Sequence, residues 1–167
     1  MARALIVGCG CRGRGLGEAL LESGWAVRGT SREEAGLAAI EAAGIEAAIA
    51  DPDRVGTVLE LVGDVAVVYY LLGSASGDPE AVAAAHGPRL ESLMEKLVDT
   101  PVRGFAYEAA GSVEAALLER GAAIVRAAGR TWRIPVEIIT ERSDDPVEWS
   151  KQTADLALRL VSPARAR

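Results

Sequence analysis

An apolar run at residues 4–7 passes directly into Gly8-Cys9-Gly10-Cys11-Arg12-Gly13, and then into a stretch carrying Leu16, Leu20 and Leu21 that stops at Gly24. A strand, a glycine-rich turn and a helix in that order restrict the fold more than any other feature of the chain. Gly8 permits the tight turn after the strand, Gly10 lets bare backbone approach a ligand, and Gly13 lets the helix pack closely on the sheet. The unpaired N–H groups of the helix start, at the positive end of its dipole, face whatever occupies the turn and favour a phosphate. A second apolar strand follows at residues 25–27, so a βαβ unit is under way within thirty residues. The expected ligand is a dinucleotide.

The end of the second strand indicates which dinucleotide. Sites that prefer NAD usually place an acid about 20 residues after the glycines, where it accepts hydrogen bonds from the ribose 2′-hydroxyl. Here the stretch is Val27-Arg28-Gly29-Thr30-Ser31-Arg32. Thr30, Ser31 and Arg32 offer two hydroxyls and a guanidinium, which suit a 2′-phosphate in charge and geometry. NADP(H) is therefore expected in preference to NAD(H). Arg12 is expected to reach the same phosphate from the other side, with Arg14 close by. The competing reading leaves these arginines solvated, with Glu33 and Glu34 neutralising Arg32.

Strand and helix signals alternate through the rest of the chain. Helix is expected at 33–43, 53–62, 78–98, 112–128 and 146–161, the third of these interrupted near Gly87-Pro88, because proline does not continue a helix. Strand is expected at 45–50, 64–72, 102–109 and 134–140. The run at 64–72 has the continuous apolar character of a central parallel strand buried on both faces. The expectation is an α/β fold: a three-layer αβα, doubly wound parallel sheet of about six strands in the order 3-2-1-4-5-6, as a single domain over 1–167. Asp51, after the third strand, either contacts an adenine amino group or caps the next helix. The small-residue loop 73–77 lies where open α/β sheets hold ligands.

Half of the 167 residues are hydrophobic, which suffices for one core and leaves no room for a separate substrate domain of the usual size. A net charge of −6, without a basic cluster, argues against nucleic acid. No signal-peptide pattern or membrane-length apolar run is present, so no membrane association and a cytoplasmic location are expected. Cys9 and Cys11 flank Gly10 and the lone histidine is remote, which excludes a four-ligand zinc site from one chain. Small cysteines suit a phosphate loop, and oxidation of Cys11 would gate it. His86 reads as a helix-end or surface residue, Trp149 as a packing residue, Trp25 and Trp132 as partly buried anchors, and Asp144-Asp145-Pro146 as a helix start.

The stretch ALIVGCGCRGRGLGEALLESGWAVRGTSR resembles the N-terminal half of atypical and extended short-chain dehydrogenase/reductase-like NAD(P)-binding proteins. It shares their V-G-x-G-x-x-G turn with a leucine three residues on, their G-W-x-V and their G-T-x-R. Residues 102–107 and 134–139 are similar to the family's fifth and sixth strands. The resemblance implies that Gly8, Gly10, Arg12, Gly13, Thr30 and Arg32 hold the cofactor, that Asp51 lies near the adenine, and that Leu72 and Gly73 lie near the nicotinamide ribose. It also implies dimerisation through the fourth and fifth helices.

One departure carries weight. The family relays a proton through Tyr-x-x-x-Lys, yet four residues after Tyr69, Tyr70 and Tyr107 stand Gly73, Ser74 and Gly111, and four before Lys96 and Lys151 stand Ser92 and Val147. Three classes of function follow: a dinucleotide-binding module without catalysis, such as a redox-sensing or regulatory protein; an NADPH-dependent reductase of a flavin, quinone or carbonyl acceptor; or an interaction protein that has lost the ligand. For the reductase, the candidate acids at the end of the fifth strand are Tyr107, Glu108 and Ser112. Each has a plainer role available: core aromatic, partner of an arginine, and helix N-cap.

Overall fold

A computed structural model describes residues 2–162. Six strands form one parallel sheet: β1 (Arg3–Val7), β2 (Ala26–Ser31), β3 (Glu46–Ile49), β4 (Val67–Tyr70), β5 (Gly104–Glu108) and β6 (Val136–Ile139). Their order is β3-β2-β1-β4-β5-β6, as expected from the sequence. The helices are α1 (Cys11–Glu22), α2 (Leu37–Ala42), α3 (Val55–Leu59), α4 (Pro79–Ala85), α5 (Pro88–Lys96), α6 (Ala115–Trp132) and α7 (Pro146–Val161).

Side chains alternate across the sheet and build two cores. On one face Leu5, Val7, Val68, Tyr70, Phe105 and Tyr107 pack against α3, α5 and α6 through Val58, Leu93, Met94 and Val125. On the other, Ala4, Ile6, Val67, Tyr69 and Ala106 meet α1, α2 and α7 through Leu16, Leu20, Ile40, Trp149 and Leu160. β4 and β5 are buried along their whole length, whereas the edge strands β3 and β6 are mostly half-exposed. At the end of the sheet away from the glycine turn, Arg28 donates to both carboxylate oxygens of Asp64 and to Glu46, and Arg3 donates to Glu46.

Several elements begin later or end sooner than their local pattern suggests, and each has a competing contact. α2 starts at Leu37 rather than 33, because the Ser31 hydroxyl bonds both the N–H and the C=O of Glu33 and a 3₁₀ turn (Glu34–Gly36) intervenes. α3 starts at Val55, because an Asx turn from Asp51 to the N–H of Asp53 and a bond from Arg54 N–H to Asp51 C=O hold the chain in a turn. α6 starts at Ala115, because Val113 N–H is bonded to Gly73 C=O and Ser112 N–H to Ser74 Oγ. The helical stretch at 78–98 breaks before Pro88, which opens α5 at its first position. α7 has the expected bounds, with Asp145 accepting from Val147 N–H and Glu148 N–H.

His86 stands at the end of α4 but is fully buried rather than on the surface. Its Nε2 lies 2.9 Å from the Leu72 carbonyl oxygen and its Nδ1 2.5 Å from the Tyr107 hydroxyl. A carbonyl only accepts, so Nε2 carries the proton and Tyr107 donates to Nδ1. Burial pushes the imidazole below its usual pKa and keeps it neutral in this arrangement. Trp149 is buried as expected and Trp25 half-buried, but Trp132, the last residue of α6, is 44% exposed.

Gly121 lies in the middle of α6, where alanine would ordinarily be favoured by about 1 kcal/mol. A Cβ there would collide with the Tyr107 hydroxyl. Gly121→Ala is therefore expected to destabilise the protein by about 1–3 kcal/mol, read as a lower urea midpoint. A neutral or stabilising result would show that the Tyr107–His86 pair gives way.

A candidate dinucleotide cleft at the ends of the central strands

The chain leaves β1 through Gly8, whose φ of +81° is open to glycine and strained for other residues. A Cβ at Gly8 would lie 2.6 Å from the Leu71 carbonyl oxygen. Two bonds from Thr30 fix the turn: Gly8 N–H reaches Thr30 Oγ1 at 3.3 Å, and Cys9 N–H reaches Thr30 C=O at 3.0 Å. Gly13 is tight as well, since a Cβ there would lie 3.2 Å from both Gly8 C=O and the Ile6 side chain. Gly10 is the opposite case, with nothing within 4 Å of the position a Cβ would take. Gly10 also caps α1 at its N-terminus, accepting from Arg14 N–H. The first-turn amides of Cys11, Arg12 and Gly13 precede any possible intrahelical acceptor.

These residues form the floor of a cleft of about 790 Å³ at the C-terminal ends of the strands. Gly8, Gly10, Cys11, Arg12, Gly13, Thr30, Ser31, Arg32, Asp51 and Leu72 all line it, so the structure brings nearly the whole expected constellation together. Four arginines (Arg12, Arg14, Arg32 and Arg142) face three acids (Asp51, Asp53 and Glu108), which makes the cleft locally basic in an acidic chain. The space, the open backbone at Gly10 and the helix start fit a diphosphate-bearing ligand.

Particular assignments differ from the sequence reading. Thr30 is 2% exposed and its hydroxyl is engaged by Gly8 N–H, while the Ser31 hydroxyl is engaged by Glu33, so both hydroxyls serve the turn before any phosphate. Arg32 makes no salt bridge to Glu33 or Glu34 among the described residues; it donates to Ser76 C=O at 3.2 Å, across the cleft mouth. Arg12 points away from β2. Its guanidinium carbon lies 5.0 Å from the Trp149 ring centroid and its Nη2 approaches Ser143 C=O at 3.5 Å, on the side of β6 and α7. Arg14 takes the β2 side, where its charge acts on the Cys9 thiol packed beneath Gly29. Burial nonetheless pushes that thiol up to about 11, while Cys11 is exposed. Asp51 makes the Asx turn described above but does not cap α3, whose N-cap is Arg54.

Gly73 lies behind the wall rather than in it, its N–H donated to Glu108 Oε1 at 2.8 Å and its C=O accepting from Val113. Of the three candidate acids, only Glu108 lines the cleft. Tyr107 is turned into the opposite core, where its hydroxyl donates a hydrogen bond to His86 Nδ1, and Ser112 is exposed outside the cleft and is not the N-cap of α6, which is Glu114. Glu108 is 5% exposed and has no arginine within salt-bridge distance among the described residues. Its burial raises the carboxyl pKa; the Gly73 N–H and the charges of Arg12 and Arg142 pull the other way without reversing it. The cleft positions of Arg142 and Trp149, far along the chain from the glycine turn, carry no local sequence signal.

No family model matches the sequence, and no curated protein matches it. Solved structures do match it in shape. A protein described as a short chain dehydrogenase/reductase family oxidoreductase from Aeromonas hydrophila superposes with a TM-score of 0.73 at 15% identity, over 100% of this chain and 95% of that one. A metagenomic short-chain oxidoreductase in complex with NADP gives 0.64 at 17% identity, over 99% and 93%. The UDP-glucuronic acid 4-epimerase of Bacillus cereus in complex with NAD gives 0.66 at 19%, over 81% of this chain and 54% of that one. The chain thus spans about half the length of the epimerase.

Two outcomes test this geometry. Gly8→Ala adds a side chain at positive φ against backbone and is expected to cost about 2 kcal/mol or more, read by urea unfolding; an unchanged midpoint would contradict the close approach of Leu71. Because the folded-state pKa of Glu108 is raised, its carboxylate opposes folding above that pKa and ceases to do so once protonated. Glu108→Gln is therefore expected to raise Tm by a few degrees at pH 8, with the gain vanishing towards pH 4. A gain independent of pH would contradict it. Sheet order, glycine turn and the superposed structures together give the chain the Rossmann-like parallel α/β fold seen in the short-chain dehydrogenase/reductase structures.

Proposed function

We propose that residues 1–167 are one domain that binds NADP(H), in preference to NAD(H), and that it does not use the Tyr-x-x-x-Lys relay. The observation that carries this reading is the glycine turn: tight at Gly8 and Gly13, open at Gly10, and continued into the free amides of α1. A diphosphate on the Cys11, Arg12 and Gly13 amides would meet N–H groups already held in place, with no reorganisation of the turn.

The preference for a 2′-phosphate rests on Arg32 and Arg14, which line the cleft on the β2 side, where no carboxylate replaces them at the strand end. Ser31 assists through its place in the turn, and Asp51 is placed for the adenine end. Leu72 and the small side chains after β4 form the apolar wall towards β5. The solved structures with NADP or NAD bound support a nicotinamide dinucleotide as the ligand class.

The dinucleotide supplies a hydride when reduced. Of this chain's residues beside the cleft, Glu108 favours the second reading, a reductase with a non-standard acid. It is a cleft-lining carboxyl, held by Gly73 N–H and biased by burial towards its protonated, proton-donating form. In the first reading, a binding or redox-sensing module, the same group only shapes the cleft.

Calorimetric titration at low salt is expected to show tighter binding of NADPH than of NADH. Arg32→Ala is expected to cost NADPH about tenfold or more, the scale of a charged hydrogen bond, while NADH changes little. Equal affinities in the wild type, or equal losses in the variant, would overturn the 2′-phosphate assignment.

A further inference from the structure

Three charged side chains face the β5–β6 end of the cleft without closing into ion pairs. Glu108 is fixed from behind by Gly73 N–H. Arg12 lies over the Trp149 ring and makes a long contact to Ser143 C=O, and Arg142 lines the same end from the loop before α7. The charges of both arginines act on Glu108, yet neither comes within salt-bridge distance of it among the described residues. A gap therefore separates groups that would attract each other.

Arg12 adds a second observation. Its Nη1 is buried and has no hydrogen-bond partner among the described residues. A buried guanidinium N–H without an acceptor is costly, and native structures keep few of them. Stacking on Trp149 and the contact of Nη2 with Ser143 prevent the group from swinging out to water without losing both. The missing partner is an acceptor, and Arg142 beside it favours an anionic one.

We propose that Arg12, Arg142 and Glu108, walled by Trp149, form a subsite for a small carboxylate-bearing ligand beside the dinucleotide cleft. This rests on the dinucleotide reading for its neighbour, although the anion site can be assayed without it. A monoanion fits better than a phosphate dianion, because the Glu108 carboxyl stands within the same gap. Glu108 in its protonated form donates a hydrogen bond to the carboxylate, so the three groups converge on one ligand.

The test is calorimetric titration of the protein with benzoate, benzamide and inorganic phosphate, each with and without saturating NADPH. Benzoate is expected to bind in both states, at least tenfold more tightly than its neutral amide and more tightly than phosphate. Arg142→Ala and Arg12→Lys are each expected to weaken benzoate by about tenfold, and Glu108→Gln is expected to flatten the loss of affinity seen in the wild type as pH rises. Benzamide binding as well as benzoate, phosphate binding better, benzoate being displaced by NADPH, or both arginine variants retaining full affinity would each overturn the proposal. Failure of NADPH itself to bind would sink the dinucleotide reading and leave the benzoate result standing.

Discussion

The cleft depends on how the chain leaves β1. Thr30, at the end of the neighbouring strand, holds Gly8 N–H with its hydroxyl and Cys9 N–H with its carbonyl, while Gly8 turns at a φ of +81° against the Leu71 backbone. Those contacts fix the axis of α1, and α1 in turn receives α7 through Gly15, where a Cβ would lie 2.9 Å from Ser150 Oγ. Trp149 precedes that serine, so the wall on which Arg12 lies is set by the turn from which Arg12 itself projects. One local constraint thereby positions both sides of the cleft.

Electrostatics then divides the cleft into two ends. Arg32 and Arg14 gather at the β2 side, and Arg12 and Arg142 on the β5–β6 side, with the glycine amides between them. In a chain of net charge −6 this local excess of arginine is best explained by anionic ligands rather than by general surface charge. The buried Glu108 is the last residue of β5 rather than part of a loop. Its hydrogen bond to Gly73 links the end of β5 to the loop after β4, and Gly73 C=O extends that link to Val113. The His86–Tyr107 pair braces the same loop from the other core through Leu72 C=O. Both polar links are fully within protein, where a satisfied network fixes one arrangement and a broken one is costly.

The strand order and the glycine turn were legible because they are local: apolar runs, glycines at fixed offsets, and alternation at lengths that allow crossovers. Helix starts were less legible, because α2, α3 and α6 each yield their first residues to a side chain or loop not visible in helical periodicity, namely Ser31, Asp51 and the Gly73–Val113 bond. The side on which Arg12 would lie was not readable at all. It is decided by Trp149, far along the chain, and a guanidinium that looks equally able to reach β2 goes where an aromatic face awaits it. Thr30 and Ser31 had the right chemistry for a phosphate and the right place, but backbone N–H and C=O groups nearby already claim their hydroxyls. Tyr107 was ambiguous for a related reason: a strand-end tyrosine faces either the cleft or the core by one residue of parity, and His86, buried against expectation, marks which.

The most direct test of the central claim is an amide NMR titration of the ¹⁵N-labelled protein with NADPH. If the turn is a preformed diphosphate cradle, the largest shifts fall on Gly10, Cys11, Arg12 and Gly13, with smaller ones at Ser31 and Arg32 and little change at Gly8, whose N–H is already held by Thr30. Shifts absent from the turn, or concentrated away from the strand ends, would contradict the account.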